Sequence, residues 1–328
     1  MTIQIAMYEE AYKRVGEHLS RLDLDIAVHT FDNSGSLSTP NGVARPQDVS
    51  IDYVWLSPDI SAQKIQSVAF DLVLSLKSVD VLQTFNAGLD DPYYRKISDR
   101  GIRICNSSAQ AIAISEYVLA NVLAAFHPIE QRHELQRTRQ WQRTPFREVA
   151  KSNWLIVGFG PIGRAVAVRA KAFGANITVV RRSPTTSDTV DRVGTIADLQ
   201  KFLPDTDVVV LACPLNEQTR GMVDAAFFGA LKPGATLVNI ARGALIDDSA
   251  LIVALDSGRL DCAILDVFHT EPLPADDPIW GHPKIRMTAH TSFSGSGTRQ
   301  RWDDLFLANI ARFARGQALE NEVDPKDI

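Results

Sequence analysis

The stretch Gly158-Phe159-Gly160-Pro161-Ile162-Gly163 constrains this chain more than any other, because of what flanks it. Glycines cluster in many turns, so G-x-G-x-x-G alone says little. Here an apolar run, Trp154 to Val157, leads into it, a helical pattern to about Phe173 leaves it, and a second β-branched run, Asn176 to Val180, follows. That order of strand, glycine turn, helix and strand is the dinucleotide-binding fingerprint. Gly158 permits the tight turn, Gly160 lets a pyrophosphate reach the backbone, and Gly163 lets the helix lie close on the strand. Pro161 and Ile162 open that helix, whose first N–H groups and positive dipole end favour phosphate.

The end of the second strand decides which dinucleotide. A carboxylate there accepts hydrogen bonds from ribose hydroxyls and repels a 2′-phosphate. This chain carries Arg181-Arg182-Ser183 instead. Guanidinium groups bind a 2′-phosphate through charge-assisted bonds and stack on adenine. The sequence therefore predicts NADP, with NADPH preferred over NADH.

Short β-branched runs alternate with helical patterns along most of the 328 residues, the rhythm of a parallel sheet with crossover helices. In the first hundred residues, Ile3 to Ala6, Ile26 to His29, Tyr53 to Leu56 and Val79 to Phe85 read as strands. A long apolar helix begins near Ala109 and runs toward a charged arm, Glu130 to Arg143. From Arg301 onward Trp302, Leu305, Phe306, Ile310 and Phe313 share one helical face that must be buried. The predicted fold is α/β with two Rossmann-like doubly wound domains, the cofactor domain inserted into a discontinuous substrate domain. Residues 1–104 and 291–328 form the substrate domain and 105–290 the NADP-binding domain.

Composition narrows the partners. Lys and Arg number 34 against 39 Asp and Glu, a net charge of −5 with no basic block, which argues against nucleic acid. No apolar stretch reaches the length of a membrane span. Cys105, Cys213 and Cys262 are odd in number and lie in apolar contexts, which suits free thiols in a reducing cytoplasm. Asn106-Ser107-Ser108 and Asn176-Ile177-Thr178 have the form of glycosylation sequons, but the N-terminal stretch lacks the pattern of a secretion signal. His127, His133, His269 and His282 lack partners at metal-ligand spacing, so no metal is expected.

Three polar segments close otherwise apolar strands: Asn239-Ile240-Ala241-Arg242-Gly243, Leu265-Asp266-Val267-Phe268-His269-Thr270-Glu271-Pro272-Leu273-Pro274, and Thr288-Ala289-His290-Thr291. With the glycine motif ahead of them and Asn86-Ala87-Gly88 near the end of the first domain, the chain resembles the D-isomer-specific 2-hydroxyacid dehydrogenase family. It is most similar to the glyoxylate/hydroxypyruvate reductase members.

That resemblance implies reduction of a small 2-keto acid to the 2-hydroxy acid, D where chiral, with Arg242, Glu271 and His290 as catalytic residues. Hydride transfer puts negative charge on the carbonyl oxygen, so an acid must deliver a proton and a cation must hold the substrate. His290 suits the first task and Arg242 the second, while Glu271 fixes the ring and favours imidazolium. The resemblance also implies that Ala87 and Gly88 receive the substrate carboxylate with Arg242 and His290. Asp266 falls on a nicotinamide contact, and Cys213, Pro214, Thr219 and Ala241 on the cofactor cleft. Asn86 stands where Gly or Ser is common, and Ala289 replaces the usual proline before the histidine. The apolar helix and charged arm resemble dimerisation elements, implying a homodimer. The alternatives are a dehydrogenase for phosphite or a larger D-2-hydroxy acid, or a non-catalytic dinucleotide-sensing protein like the corepressors that share this fold.

Overall fold

The computed structural model describes residues 2–182 and 187–328, and Ser183 lies outside them. The chain divides into two compact units, one of Met1–Gln110 with Ser296–Ile328 and one of Ala111–Gly295.

The first unit is built on seven strands among the described residues: β1 (Ile3–Tyr8), β2 (Ile26–Phe31), β3 (Leu37–Thr39), β4 (Gly42–Ala44), β5 (Ser50–Leu56), β6 (Ser78–Thr84) and β7 (Arg103–Cys105). Their order is β4-β3-β2-β1-β5-β6-β7. The pairs from β2 through β7 are parallel, and only the β2–β3–β4 edge is antiparallel. Apolar residues are buried on both faces, Ile5, Tyr53 and Val81 on one and Ala6, Val54 and Leu82 on the other, as a sheet covered on both sides requires.

The helix Thr298–Ala314 packs on this first sheet, as its apolar face predicts. Phe306 stacks on Trp55 with ring centroids 4.2 Å apart, and Trp302 meets Phe85 edge-on. Buried charge adds direction to this packing. Arg14 bonds Asp303 at 2.7 Å and Asp59 at 2.8 Å, and Arg299 takes the other Asp59 oxygen at 2.7 Å. Asp303 is buried and Arg14 and Asp59 are partly so, and removing one of these three leaves a poorly compensated charge, so the network fixes where the helix sits.

The second unit carries β8 (Asn153–Val157), β9 (Asn176–Val180), β10 (Arg192–Gly194), β11 (Val208–Leu211), β12 (Ala235–Asn239), β13 (Leu260–Leu265) and β14 (Ile285–Met287). Their order is β10-β9-β8-β11-β12-β13-β14, parallel throughout. The order turns outward in both directions from β8 and β11, the doubly wound arrangement whose ligand crevice lies beyond the carboxyl ends of the strands.

The helix predicted from near Ala109 spans Ala111–Phe126 and is followed, after a bend of 58°, by Ile129–Arg137. Among the described residues no single helix is long and apolar enough to cross a membrane. Ile114, Val118, Leu119, Val122 and Phe126 are buried against Val166, Ala167 and Ala170 of the same unit. One apolar face of this helix is therefore occupied within its own unit, while Ile112 stays exposed. The arm that follows is pinned at its far end, where Arg147 lies over the Phe126 ring and bonds Asp207.

Candidate active site

The candidate residues of the second unit sit at the carboxyl ends of its parallel strands, and every end but that of β10 contributes. Gly158 follows β8, Arg181 follows β9, Cys213 comes after β11, Ala241 and Arg242 after β12, Asp266 after β13 and His290 after β14. Parallel register puts all of these ends on one edge of the sheet.

The glycine turn behaves as its residue types require. Gly158 has φ 102°, and a Cβ there would stand 2.4 Å from the Ala212 carbonyl oxygen. A Cβ on Gly163 would stand 2.1 Å from Gly158 O, so helix and turn touch only because both positions lack side chains. Around Gly160 nothing lies within 4 Å of such an atom, leaving its backbone open to a ligand. Pro161 begins the helix Pro161–Ala172, and the first helical bond here is Arg164 N–H to Gly160 C=O at 3.0 Å. The Ile162 and Gly163 amides precede that bond and face outward from the helix start. Arg164 lies 5.4 Å over the Phe159 ring, which holds it beside the turn. These features fit the pyrophosphate of a dinucleotide.

Arg181 is adjacent to this turn, since Gly158 N–H donates to Val180 C=O at 2.8 Å and the Arg181 amide donates to Gly194 at 3.1 Å. Arg182 is exposed beside it. On the other side of the turn Cys213 is buried, which pushes its thiol up to about 12 and removes it from thiolate chemistry. Thr219 closes the following loop by donating to Pro214 C=O at 2.8 Å while accepting from the Asn216 amide.

The chemistry-bearing groups gather beyond β12, β13 and β14. His290 Nδ1 lies 2.7 Å from Glu271 Oε2. Glu271 is itself held, its Oε1 accepting the Phe268 amide at 2.9 Å. His290 has φ 52°, a left-handed backbone that non-glycine residues rarely adopt. Its amide donates to Asp266 C=O at 2.7 Å. The Asp266 carboxylate is buried and accepts Thr288 Oγ1 at 2.6 Å, Thr291 N–H at 2.8 Å and Ser292 N–H at 3.0 Å. One aspartate thus fixes the whole segment carrying His290, and its carboxylate is turned into the protein. Thr288 is held from the other side by the Tyr117 hydroxyl at 2.8 Å.

Arg242 depends on Asn239, which the sequence shows only as a polar residue ending an apolar strand. Asn239 is fully buried, accepts the Ala241 amide through Oδ1 at 3.1 Å and donates Nδ2 to Arg242 C=O at 2.8 Å. A Cβ on the next residue, Gly243, would lie 2.0 Å from the Phe268 carbonyl carbon. The Arg242 loop therefore packs directly on the loop that presents Glu271.

Ala87 and Gly88 belong to the first unit, just beyond the carboxyl end of β6. The roles of Thr288 and Ser292 have no local sequence signature, because their partner Asp266 comes from a different strand end.

A family model described as D-isomer specific 2-hydroxyacid dehydrogenase, NAD binding domain, matches residues 119–292. The chain is 33% identical over 219 residues to a glyoxylate/hydroxypyruvate reductase A of Serratia proteamaculans, covering 66% of this chain and 69% of the relative. It is 30% identical over 252 residues to a glyoxylate/hydroxypyruvate reductase A of Arabidopsis thaliana, covering 76% and 79%. The crystal structure of a D-isomer specific 2-hydroxyacid dehydrogenase family protein from Aeromonas salmonicida superposes with a TM-score of 0.77 at 27% identity, over 98% of this chain and 99% of that one. With its parallel sheets, its glycine turn and its Glu271–His290 pair, the chain belongs to the D-isomer specific 2-hydroxyacid dehydrogenase family and is an oxidoreductase with an NAD-binding domain.

Proposed function

We propose that the protein reduces a small 2-keto acid of the glyoxylate or hydroxypyruvate type with NADPH, giving the 2-hydroxy acid, D where chiral. The observation that carries this reading is the Glu271–His290 pair on the same sheet edge as the glycine turn. NADPH supplies the hydride when bound. His290, with Nδ1 held by Glu271, delivers a proton to the carbonyl oxygen from Nε2. Arg242 holds the substrate and offsets the charge that develops on that oxygen. Ala87 and Gly88 take the substrate carboxylate through their amides. The names of the Serratia and Arabidopsis relatives support this substrate class.

Arg181 and Arg182 support NADPH over NADH, since Arg181 stands where a carboxylate would read the ribose and Arg182 adds donors beside it. The free, buried Cys105, Cys213 and Cys262 suit a reducing cytoplasm. A homodimer fits the exposure of Ile112 at 41%, Ile129 at 39% and Trp141 at 101%, which leaves apolar surface around the arm. Sedimentation at micromolar concentration tests it, and a species of monomer mass alone contradicts it.

The functional test is a panel of 2-keto acids with purified protein and NADPH, followed by the configuration of each chiral product. Turnover of glyoxylate and hydroxypyruvate is the expected result. Dinucleotide binding without turnover of any acid overturns the reading.

A further inference from the structure

The Asn86-Ala87-Gly88 turn has its carbonyls pinned from one side. Phe85 C=O accepts the Trp302 indole N–H at 3.1 Å, Asn86 C=O accepts the Ser107 amide at 2.8 Å, and Ala87 C=O accepts Asn106 Nδ2 at 2.7 Å. The Asn86 side chain is drawn inward as well. Its Nδ2 donates to the Tyr94 hydroxyl at 2.7 Å, and that hydroxyl, on a buried ring, pairs with Thr84 Oγ1 at 2.7 Å. The residue that departs from the family's Gly or Ser is therefore held away from the turn.

A planar trans peptide points its C=O and the following N–H in opposite directions. Ser107 on Asn86 C=O therefore aims the Ala87 amide, and Asn106 on Ala87 C=O aims the Gly88 amide. Among the described residues neither of these amides has an acceptor within the protein.

We propose that Asn106 is a positioning residue for the substrate carboxylate, acting through the Ala87–Gly88 peptide plane, with Tyr94 steadying the same turn through Asn86. This rests on the function proposed above. Asn106 touches no substrate. It sets the direction of the donor that does.

The test is steady-state kinetics on Asn106→Ala and Asn106→Asp. Alanine removes the donor and frees the peptide plane. The substitution Asn106→Asp keeps the shape but sets a carboxylate against the Ala87 carbonyl, so it has the larger effect. KM for glyoxylate rises about three- to tenfold in Asn106→Ala, the span of one lost hydrogen bond, and further in Asn106→Asp. The kcat at saturation and the NADPH dissociation constant stay at their wild-type values, a split that a merely structural role would not give. Tyr94→Phe, which deletes one hydroxyl from a buried ring, raises KM by a smaller factor and serves if the Asn106 variants do not fold.

Wild-type KM in the folded Asn106 variants, or in Tyr94→Phe if those do not fold, overturns the proposal. Calorimetric binding of oxamate to NADPH-loaded protein separates the two levels. Wild-type protein that neither binds oxamate nor reduces a 2-keto acid defeats the functional reading. Wild-type protein that binds oxamate no better than the variants do defeats this inference alone.

Discussion

His290 Nδ1 and Glu271 Oε2 are 2.7 Å apart, and the other oxygen of the same carboxylate accepts the Phe268 amide at 2.9 Å. The carboxylate therefore grips its own loop with one oxygen and orients the imidazole with the other. Only then is Nε2 the ring nitrogen presented to a substrate. Glu271→Gln keeps this shape but removes the charge beside the ring that holds it in line, so kcat for the keto acid should fall by roughly tenfold or more while the NADPH dissociation constant holds. Steady-state kinetics check this, and an unchanged kcat uncouples the two residues.

Asp266 acts on His290 from behind. Its carboxylate accepts Thr288, Thr291 and Ser292 while its carbonyl accepts the His290 amide. Asp266→Asn replaces one acceptor oxygen with a donor and loosens a residue already in a left-handed backbone. Small displacements of a reacting group cost up to ~10²-fold in rate, so turnover should fall by roughly 10 to 100-fold. The NADPH dissociation constant should change less. A lost affinity with undiminished turnover would assign Asp266 to the cofactor alone.

Arg181→Asp places a carboxylate beside the glycine turn, where it repels a 2′-phosphate and accepts from ribose hydroxyls. The ratio of kcat/KM for NADPH over NADH should drop by tenfold or more, given ~1.5 to 3 kcal/mol for each charge-assisted bond before solvent screening. The ratio measured at two salt concentrations checks it. An unchanged ratio would mean that Arg181 faces solvent.

The first unit carries a pH-sensitive element of stability. His29 on β2 is 6% exposed, its Nε2 lies 2.8 Å from Gln4 Oε1, and its Nδ1 has no partner among the described residues. Burial lowers its pKa below the ordinary value. The unfolded chain therefore binds the proton more readily. The stability His29 contributes is present above about pH 6.5 and is lost as pH falls through its lower folded-state value. Urea midpoints should decline as pH falls below about 6.5 in the wild type and decline less in His29→Gln. Equal slopes would remove His29 from the effect.

The parts of this molecule that follow from local pattern were legible in the sequence. Asn176–Val180 and Ile285–Met287 are strands with the predicted ends, and Trp302, Leu305, Phe306 and Ile310 are the buried face of the helix they predict. The hairpin Leu37–Thr39 with Gly42–Ala44 was not, because three-residue edge strands are too short to show alternation. The apolar run of Ala111–Phe126 reads in sequence as surface needing a partner, and the helix Pro161–Ala172 of the same unit covers its buried face while Ile112 stays exposed. Among site residues, the glycines carry their reason in their spacing. Asn106 does not. It is one polar residue whose side-chain bond exists only after its loop meets the distant Ala87, and in sequence it reads merely as part of a sequon.

The most direct test of His290 as the proton donor is NADPH oxidation with glyoxylate by the wild type and by His290→Ala, alongside NADPH binding to both. Loss of a general acid lowers turnover by ~10² to 10⁴. A fall of that size is predicted with the NADPH dissociation constant unchanged, since His290 lies beyond β14 and the glycine turn beyond β8. Turnover by His290→Ala at close to the wild-type rate would contradict it.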